Sequence, residues 1–129
     1  MTVSINLGDA FLLNTPPYGE HLYIAIAQTS ENKYLFVNVT SRRDNSETTC
    51  ILTPSPELPS FIRRESVIAY QFAREMSATD LVGLITPGSS IPKGTCSASM
   101  LEKIQQGGLV SKRLSNRYKT ALRKFLKTE

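Results

Sequence analysis

The residue types that metal-free RNA cleavage requires gather around two predicted strands of this sequence. His21 is the only histidine in the chain, and a histidine can accept or donate a proton near neutral pH. Arg42 can hold a phosphate through two parallel hydrogen bonds, and Thr40 can donate to a developing oxyanion. We therefore take these three as candidate catalytic residues, with Tyr23 to stack on an unpaired base and Asn38 as a further hydrogen-bond donor.

Three further arginines are candidates for binding the same substrate. Arg43 lies in a polar loop, and Arg63 and Arg64 directly precede a predicted strand. Arginines in such positions can flank a nucleic-acid groove, although the alternative is that their charges are simply solvated. His21 has a similar alternative, because antiparallel sheets commonly have one wet face and a polar residue there needs no function.

No metal or cofactor is expected. The two cysteines, Cys50 and Cys96, form no CxxC motif, so neither a zinc site nor a disulfide framework is predicted. The sequence contains no glycine-rich loop with phosphate-binding spacing and no carboxylate pair suited to glycosidase or metal chemistry. A serine hydrolase is disfavoured because His21 is the sole imidazole and no acidic residue is placed to orient it.

Two alternating stretches predict the β-hairpin that would position His21. Residues 22–29 and 34–40 alternate apolar and other side chains with a period of two, and residues 30–33 supply the turn. The register that matches their apolar faces pairs Thr29 with Tyr34, Ile26 with Val37, Ile24 with Val39, Ala25 with Asn38, and Tyr23 with Thr40, and brings His21 near Arg42. A slip of one residue would move one apolar set to the wrong side. The opposite face is then polar and open, apart from Phe36.

The remaining pattern predicts a mainly β fold with C-terminal helices. Five or so short strands at close spacing indicate a small SH3-like antiparallel barrel, with a first strand after Gly8-Asp9 and later ones at 48–52 and 66–70. Proline-rich stretches predict loops, including the one that contains Pro16-Pro17. We expect a single domain, with a barrel part at 1–85, a loop at 86–98 and a helical part at 99–129.

Capping residues predict where the helices lie. Ser77 and Asp80 are spaced to open a short helix. A second capping box at Ser99 and Glu102 predicts the next helix, which residues 107–108, both glycines, would end. The last helix is predicted to start near Ser111 or Ser115 and to end at residue 126, with one apolar stripe and a basic remainder.

The positive charge of the chain is concentrated at its C-terminal end. Residues 1–108 carry eight basic and ten acidic side chains, a net −2, whereas residues 109–129 carry seven and one, a net +6. The basic helix favours three interpretations, in this order: a solvated face of a docked helix, a nucleic-acid contact, or a membrane-surface helix. No apolar run is long enough to span a bilayer and no signal peptide is evident, so we expect a cytoplasmic protein that does not bind a membrane.

The order of elements in residues 7–41 resembles the start of the MazF/PemK-like toxins. That family has a first strand opened by Gly-Asp, matched here by Gly8-Asp9, and a later strand that ends in Thr-Ser, matched by Thr40-Ser41. The resemblance implies a dimeric SH3-like barrel that acts as a growth-inhibiting, metal-independent endoribonuclease and is paired with an antitoxin protein. Thr40 matches the family's catalytic threonine.

The sequence departs from the family at the other catalytic position. Where the toxins have an arginine followed by proline, this chain has His21-Leu22, so His21 would take over proton transfer and Arg42 or Arg43 would supply the charge. The C-terminal helices also extend beyond the usual toxin domain. Two alternatives stay open: a non-catalytic barrel that binds nucleic acid or a protein, and a structural or accessory protein without chemistry.

Overall fold

The computed structural model describes residues 3–15 and 19–128. Its elements, in chain order, are β1 (Asp9–Asn14), β2 (Glu20–Ser30), β3 (Lys33–Ser41), β4 (Ile51–Leu52), β5 (Ser66–Ser77), α1 (Ala78–Leu84), β6 (Gly94–Thr95), α2 (Ala98–Val110) and α3 (Asn116–Thr128). Pro16, Pro17 and Tyr18, in the predicted first loop, lie outside the described residues.

The six strands of the described chain form one antiparallel sheet in the order β4-β5-β3-β2-β1-β6. This sheet curls into a half-barrel and is followed by the C-terminal helices, so the predicted mainly β fold with C-terminal helices is confirmed. Two boundaries differ. β5 continues to Ser77 instead of ending at residue 70, and the predicted loop at 86–98 contains β6, which pairs with β1.

The main hydrophobic core lies on the face that the alternating pattern predicted. Leu22 and Ile24 of β2 and Val37 of β3 are buried there, together with Ile104 of α2 and Leu122 of α3. Each such side chain contributes about 1.5–3 kcal/mol when it leaves water. The two C-terminal helices therefore belong to the same core as the sheet.

The opposite face of the sheet is also buried, so the prediction of an open polar face there is wrong. Tyr23, Ala25 and Phe36 pack in a second apolar cluster with Phe11 of β1 and Leu81 of α1. The rings of Phe11 and Phe36 meet edge to face at 6.2 Å between centroids, a preferred geometry for aromatic pairs. The cover comes from elements distant in sequence, which a hairpin pattern cannot reveal.

Serine hydroxyls cap the first two helices. Ser77 accepts a hydrogen bond from the Asp80 backbone at 3.1 Å, and the Asp80 carboxylate accepts one from the Ser77 backbone at 3.4 Å, which confirms the predicted capping box. α2 instead begins two residues before its predicted start. Its N-cap is Ser97, which accepts from the backbone N–H of residue 100 at 3.1 Å, whereas the hydroxyl of Ser99 donates to the carboxylate of Glu57.

The glycine pair in α2 serves helix packing, so the prediction that it ends the helix is wrong. α2 continues to Val110. A Cβ at Gly107 would strike the hydroxyl of Tyr70, and one at Gly108 would lie 2.7 Å from Leu122 Cδ2. The absence of side chains thus lets α2 approach β5 and α3 closely. The last helix begins at Asn116, after Ser115, which was the later of the two predicted starts.

Both cysteines should resist alkylation in the folded protein. Cys50 and Cys96 are free thiols that are 1% and 6% exposed, and burial raises both pKa values, that of Cys96 to about 11. Because only the thiolate is nucleophilic, we expect iodoacetamide at pH 8 to leave both thiols unmodified until denaturant is added, as measured by intact mass. Rapid modification of the native protein would contradict this packing.

Candidate functional site

A cleft of about 540 Å³ opens where β2 and β3 end, and we call it the strand-end cleft. It contains four of the eight predicted site residues: His21, Thr40, Arg63 and Arg64. The rest of its lining consists of Leu12, Glu20, Leu22, Val39, Ser41, Phe61, Ile62 and Ser66. A proton-transfer group, a hydroxyl donor and two cations therefore share one solvent-accessible space.

His21 and Thr40 reach this cleft because the hairpin register shifts along its length. Pairing begins as predicted at the turn, but two irregularities shift it by two residues, so that Leu22 lies opposite Val39. The next residue of each strand is His21 and Thr40. The predicted placement of His21 near Arg42 is wrong, although an even shift keeps the side chains of residues 21–26 on their predicted faces.

The Arg63–Arg64 pair is positioned by a loop that is anchored at both sides. Ile62, which precedes the pair, is only 7% exposed, and its backbone N–H donates to Pro59 O at 2.9 Å. On the other side, the Ser66 hydroxyl donates to Arg64 O at 2.9 Å. Both arginine side chains are exposed, so the loop backbone is held while the guanidinium groups remain free to meet an anion.

Arg42 lies outside the strand-end cleft. Its guanidinium Nη1 is 2.7 Å from Glu65 Oε1, and its backbone N–H donates to Glu65 O at 3.1 Å. Both side chains are about half exposed, so the pair adds little stability, about 0–1 kcal/mol. Arg42 and Arg43 line a neighbouring depression that also includes Arg64, which places them beside the cleft rather than in it.

Tyr23 and Asn38 are buried, at 4% and 3% exposure, and they pair with each other across β2 and β3. Burial raises the pKa of Tyr23, an effect opposed by the nearby charge and hydrogen bond of Arg74. The ring faces the second apolar cluster and offers no free surface to an unpaired base. Neither residue is therefore carried into the functional proposals below.

Three cleft residues escaped the sequence-based selection. Phe61 is 43% exposed, and the Lys93 ammonium lies over its ring, 5.0 Å from the centroid. The signal was present in the sequence, because an aromatic residue two positions before an arginine pair is a pattern suited to nucleic acid. Ser41 and Ser66, which pair across β3 and β5, could be identified only once the pairing of these strands was known.

No protein-family model matches this sequence, and no curated protein matches it significantly. The resemblance of residues 7–41 to the MazF/PemK-like toxins therefore stays a prediction. In the described part of the chain, no three His, Cys, Asp or Glu side chains converge as metal ligands do. Within residues 3–15 and 19–128, no helix is long and apolar enough to cross a membrane.

Proposed function

We propose that this protein is a MazF/PemK-like growth-inhibiting toxin of a toxin–antitoxin system, acting as a metal-independent endoribonuclease. The observation that carries the proposal is the strand-end cleft, where His21 and Thr40 lie beside Arg63 and Arg64. The cleft retains the threonine of the family pattern and has two arginines to replace the charge that His21 does not supply. As the resemblance implies, the protein would work as a cytoplasmic homodimer that an antitoxin protein restrains.

The chemistry follows from the roles that these side chains can take. The imidazole of His21 accepts the proton of a ribose 2′-hydroxyl, and the 2′ oxygen attacks the adjacent phosphorus. The bond from phosphorus to the 5′ oxygen breaks, and that oxygen takes a proton from the imidazolium. Thr40 donates to the charged phosphorane, while Arg63 and Arg64 hold the phosphate oxygens. The products are a 2′,3′-cyclic phosphate and a 5′-hydroxyl.

The direct test is incubation of the purified chain with single-stranded RNA in EDTA, followed by analysis of the fragment ends. The proposal expects fragments with a 2′,3′-cyclic phosphate, and it expects expression of the chain to arrest growth. Intact RNA after long incubation with a folded protein, across pools of varied sequence, would contradict the ribonuclease assignment.

Removal of the two cleft arginines should weaken RNA binding and its dependence on salt. For the Arg63→Ala, Arg64→Ala double variant, we expect roughly a tenfold rise in Kd and a salt slope smaller by roughly 1.4, since each lost phosphate contact on a single strand contributes roughly 0.7. Fluorescence anisotropy over a salt series measures both quantities. The control is Lys33→Ala, an exposed cation at the opposite end of the β2–β3 hairpin, which should keep the parental values.

A second candidate function is that of a non-catalytic nucleic-acid-binding module, and α3 favours it. Leu122 of α3 is fully buried, whereas Arg123 and Lys127 are exposed and make no hydrogen bond or ion pair within the described residues. Because the apolar side of α3 is packed into the main core, it is not available to enter a membrane. If α3 is the contact, the arginine double variant above will bind as tightly as the parent and no RNA will be cleaved.

A further inference from the structure

A second cleft, which we call the side cleft, adjoins the strand-end cleft. It has a volume of about 250 Å³, and Thr40 and Ser41 line both spaces. Its far side carries Arg43, Arg113 and Phe72. A polymer that occupies the strand-end cleft at Thr40 can therefore continue into the side cleft without leaving the protein surface.

Phe72 is presented to solvent by an interruption in the β3–β5 ladder. Asn38 pairs with Ala69 and Phe36 pairs with Arg74, so four residues of β5 lie opposite a single residue of β3. Bulges of this kind bend a strand and redirect its side chains. Phe72 lies in this segment and is 56% exposed, although its neighbours along β5 include deeply buried apolar residues. An aromatic face is thus held on rigid backbone beside the side cleft.

The two arginines of the side cleft come from loops that are fastened to each other. The Ser111 hydroxyl donates to Glu47 Oε2 at 2.6 Å and accepts from the Arg113 backbone at 3.0 Å. Ser111 is fully buried, so this link fixes the corner between α2 and α3. The Arg43 backbone is in turn held by the hydroxyl of Ser46 at 2.8 Å.

The charge balance of the side cleft favours an anion. Arg43 and Arg113 are exposed, whereas the carboxylate of Glu47 is buried at 8% exposure and accepts hydrogen bonds from Ser111 and Thr49. The guanidinium of Arg113 also donates to Asn45 O at 3.4 Å, which leaves other donors of its planar group for a ligand.

We propose that the side cleft is a second nucleotide subsite for the single strand that enters the strand-end cleft. Phe72 stacks on the next unpaired base, and Arg43 and Arg113 hold the phosphodiester that joins it to the scissile nucleotide. Aromatic side chains beside clustered cations are the combination by which proteins bind single strands. This inference rests on the proposed ribonuclease function for its substrate, but its binding step does not require cleavage.

The experiment compares two lengths of RNA that cannot be cleaved. Fluorescein-labelled, fully 2′-O-methylated pools of three and eight nucleotides, randomised in sequence, are titrated with the full chain. The longer pool should bind more tightly. Phe72→Ala and, separately, Arg113→Ala should each weaken binding of the eight-nucleotide pool about tenfold and leave the three-nucleotide pool unchanged.

Matched controls and a cleavage assay separate the possible outcomes. Val110→Ala removes an apolar side chain that is 70% exposed, and Arg117→Ala removes an exposed arginine paired with Glu75; neither should alter either Kd. Equal effects of Phe72→Ala on both lengths, or none on the longer pool, would overturn the subsite. A length effect that depends on Phe72 without any RNA cleavage would support the subsite and reject the ribonuclease, and cleavage without that effect would do the reverse.

Discussion

The His21→Ala variant is expected to cleave single-stranded RNA roughly 10²–10⁴-fold more slowly than the parent, the range that general acid–base catalysis contributes. The reason is that His21 is the only imidazole in the chain and lies in the cleft beside Thr40. No other cleft side chain exchanges protons near neutral pH except the carboxylate Glu20, which titrates several pH units lower in its ordinary state. Single-turnover rates with labelled RNA measure the effect.

Chemical rescue distinguishes lost chemistry from lost structure. His21 is partly exposed at the end of β2, so alanine there should leave the thermal unfolding midpoint nearly unchanged. Added imidazole should then restore part of the variant's rate and none of the parent's, because a free imidazole can occupy the vacated space. If His21→Ala cleaves as fast as the parent, His21 is not the proton-transfer group.

The second large effect concerns stability, and it is expected at Gly107. Alanine there should destabilise the fold by about 2–3 kcal/mol, since overpacking a filled core costs about 1–3 kcal/mol. The added Cβ meets the Tyr70 hydroxyl, which donates a buried hydrogen bond to Ile104 O at 2.6 Å. Displacing that hydroxyl costs about 1–3 kcal/mol, and the gain in helix propensity recovers only about 1 kcal/mol.

Gly83→Ala is the matched control for this substitution. Gly83 is also helical, in α1, but it is exposed and a Cβ there meets nothing within 4 Å. The same change should therefore stabilise the protein slightly, by about 0.5–1 kcal/mol, through helix propensity alone. Urea denaturation of the parent and both variants gives the two differences. If Gly107→Ala unfolds at the parental urea concentration, the close approach of α2 to Tyr70 is not as described.

Local features of this chain could be predicted because local forces produce them. The alternation in β2 and β3 correctly divides residues 21–26 between two faces, since successive strand side chains point to opposite sides. The capping box of Ser77 and Asp80 was predictable for a similar reason, because both partners lie within one helical turn. For α2, two serines close together could both serve as the cap, and only the contact of Ser99 with Glu57 decided between them.

The composition of the cleft was predictable in part. His21, Thr40, Arg63 and Arg64 were selected by residue type, and the structure brings them together. Arg42 was selected for the same reason, yet its nearest acidic residue across the loop, Glu65, holds it outside the cleft. Residue type indicates which chemistry a side chain can perform, but the partner that a surface arginine finds depends on which loops meet.

The amino-acid sequence alone determined the class of fold, the core face of the central hairpin and the residue types available for chemistry, because periodicity and capping act over a few residues. Tertiary structure alone decided the hairpin register, the burial of Tyr23 and Asn38, and the arrangement of two clefts around Thr40 and Ser41. Those features depend on bulges and on packing between segments far apart in the chain, such as Phe11 with Phe36 and Ser111 with Glu47. Their energies are set by contacts that no short window of sequence contains.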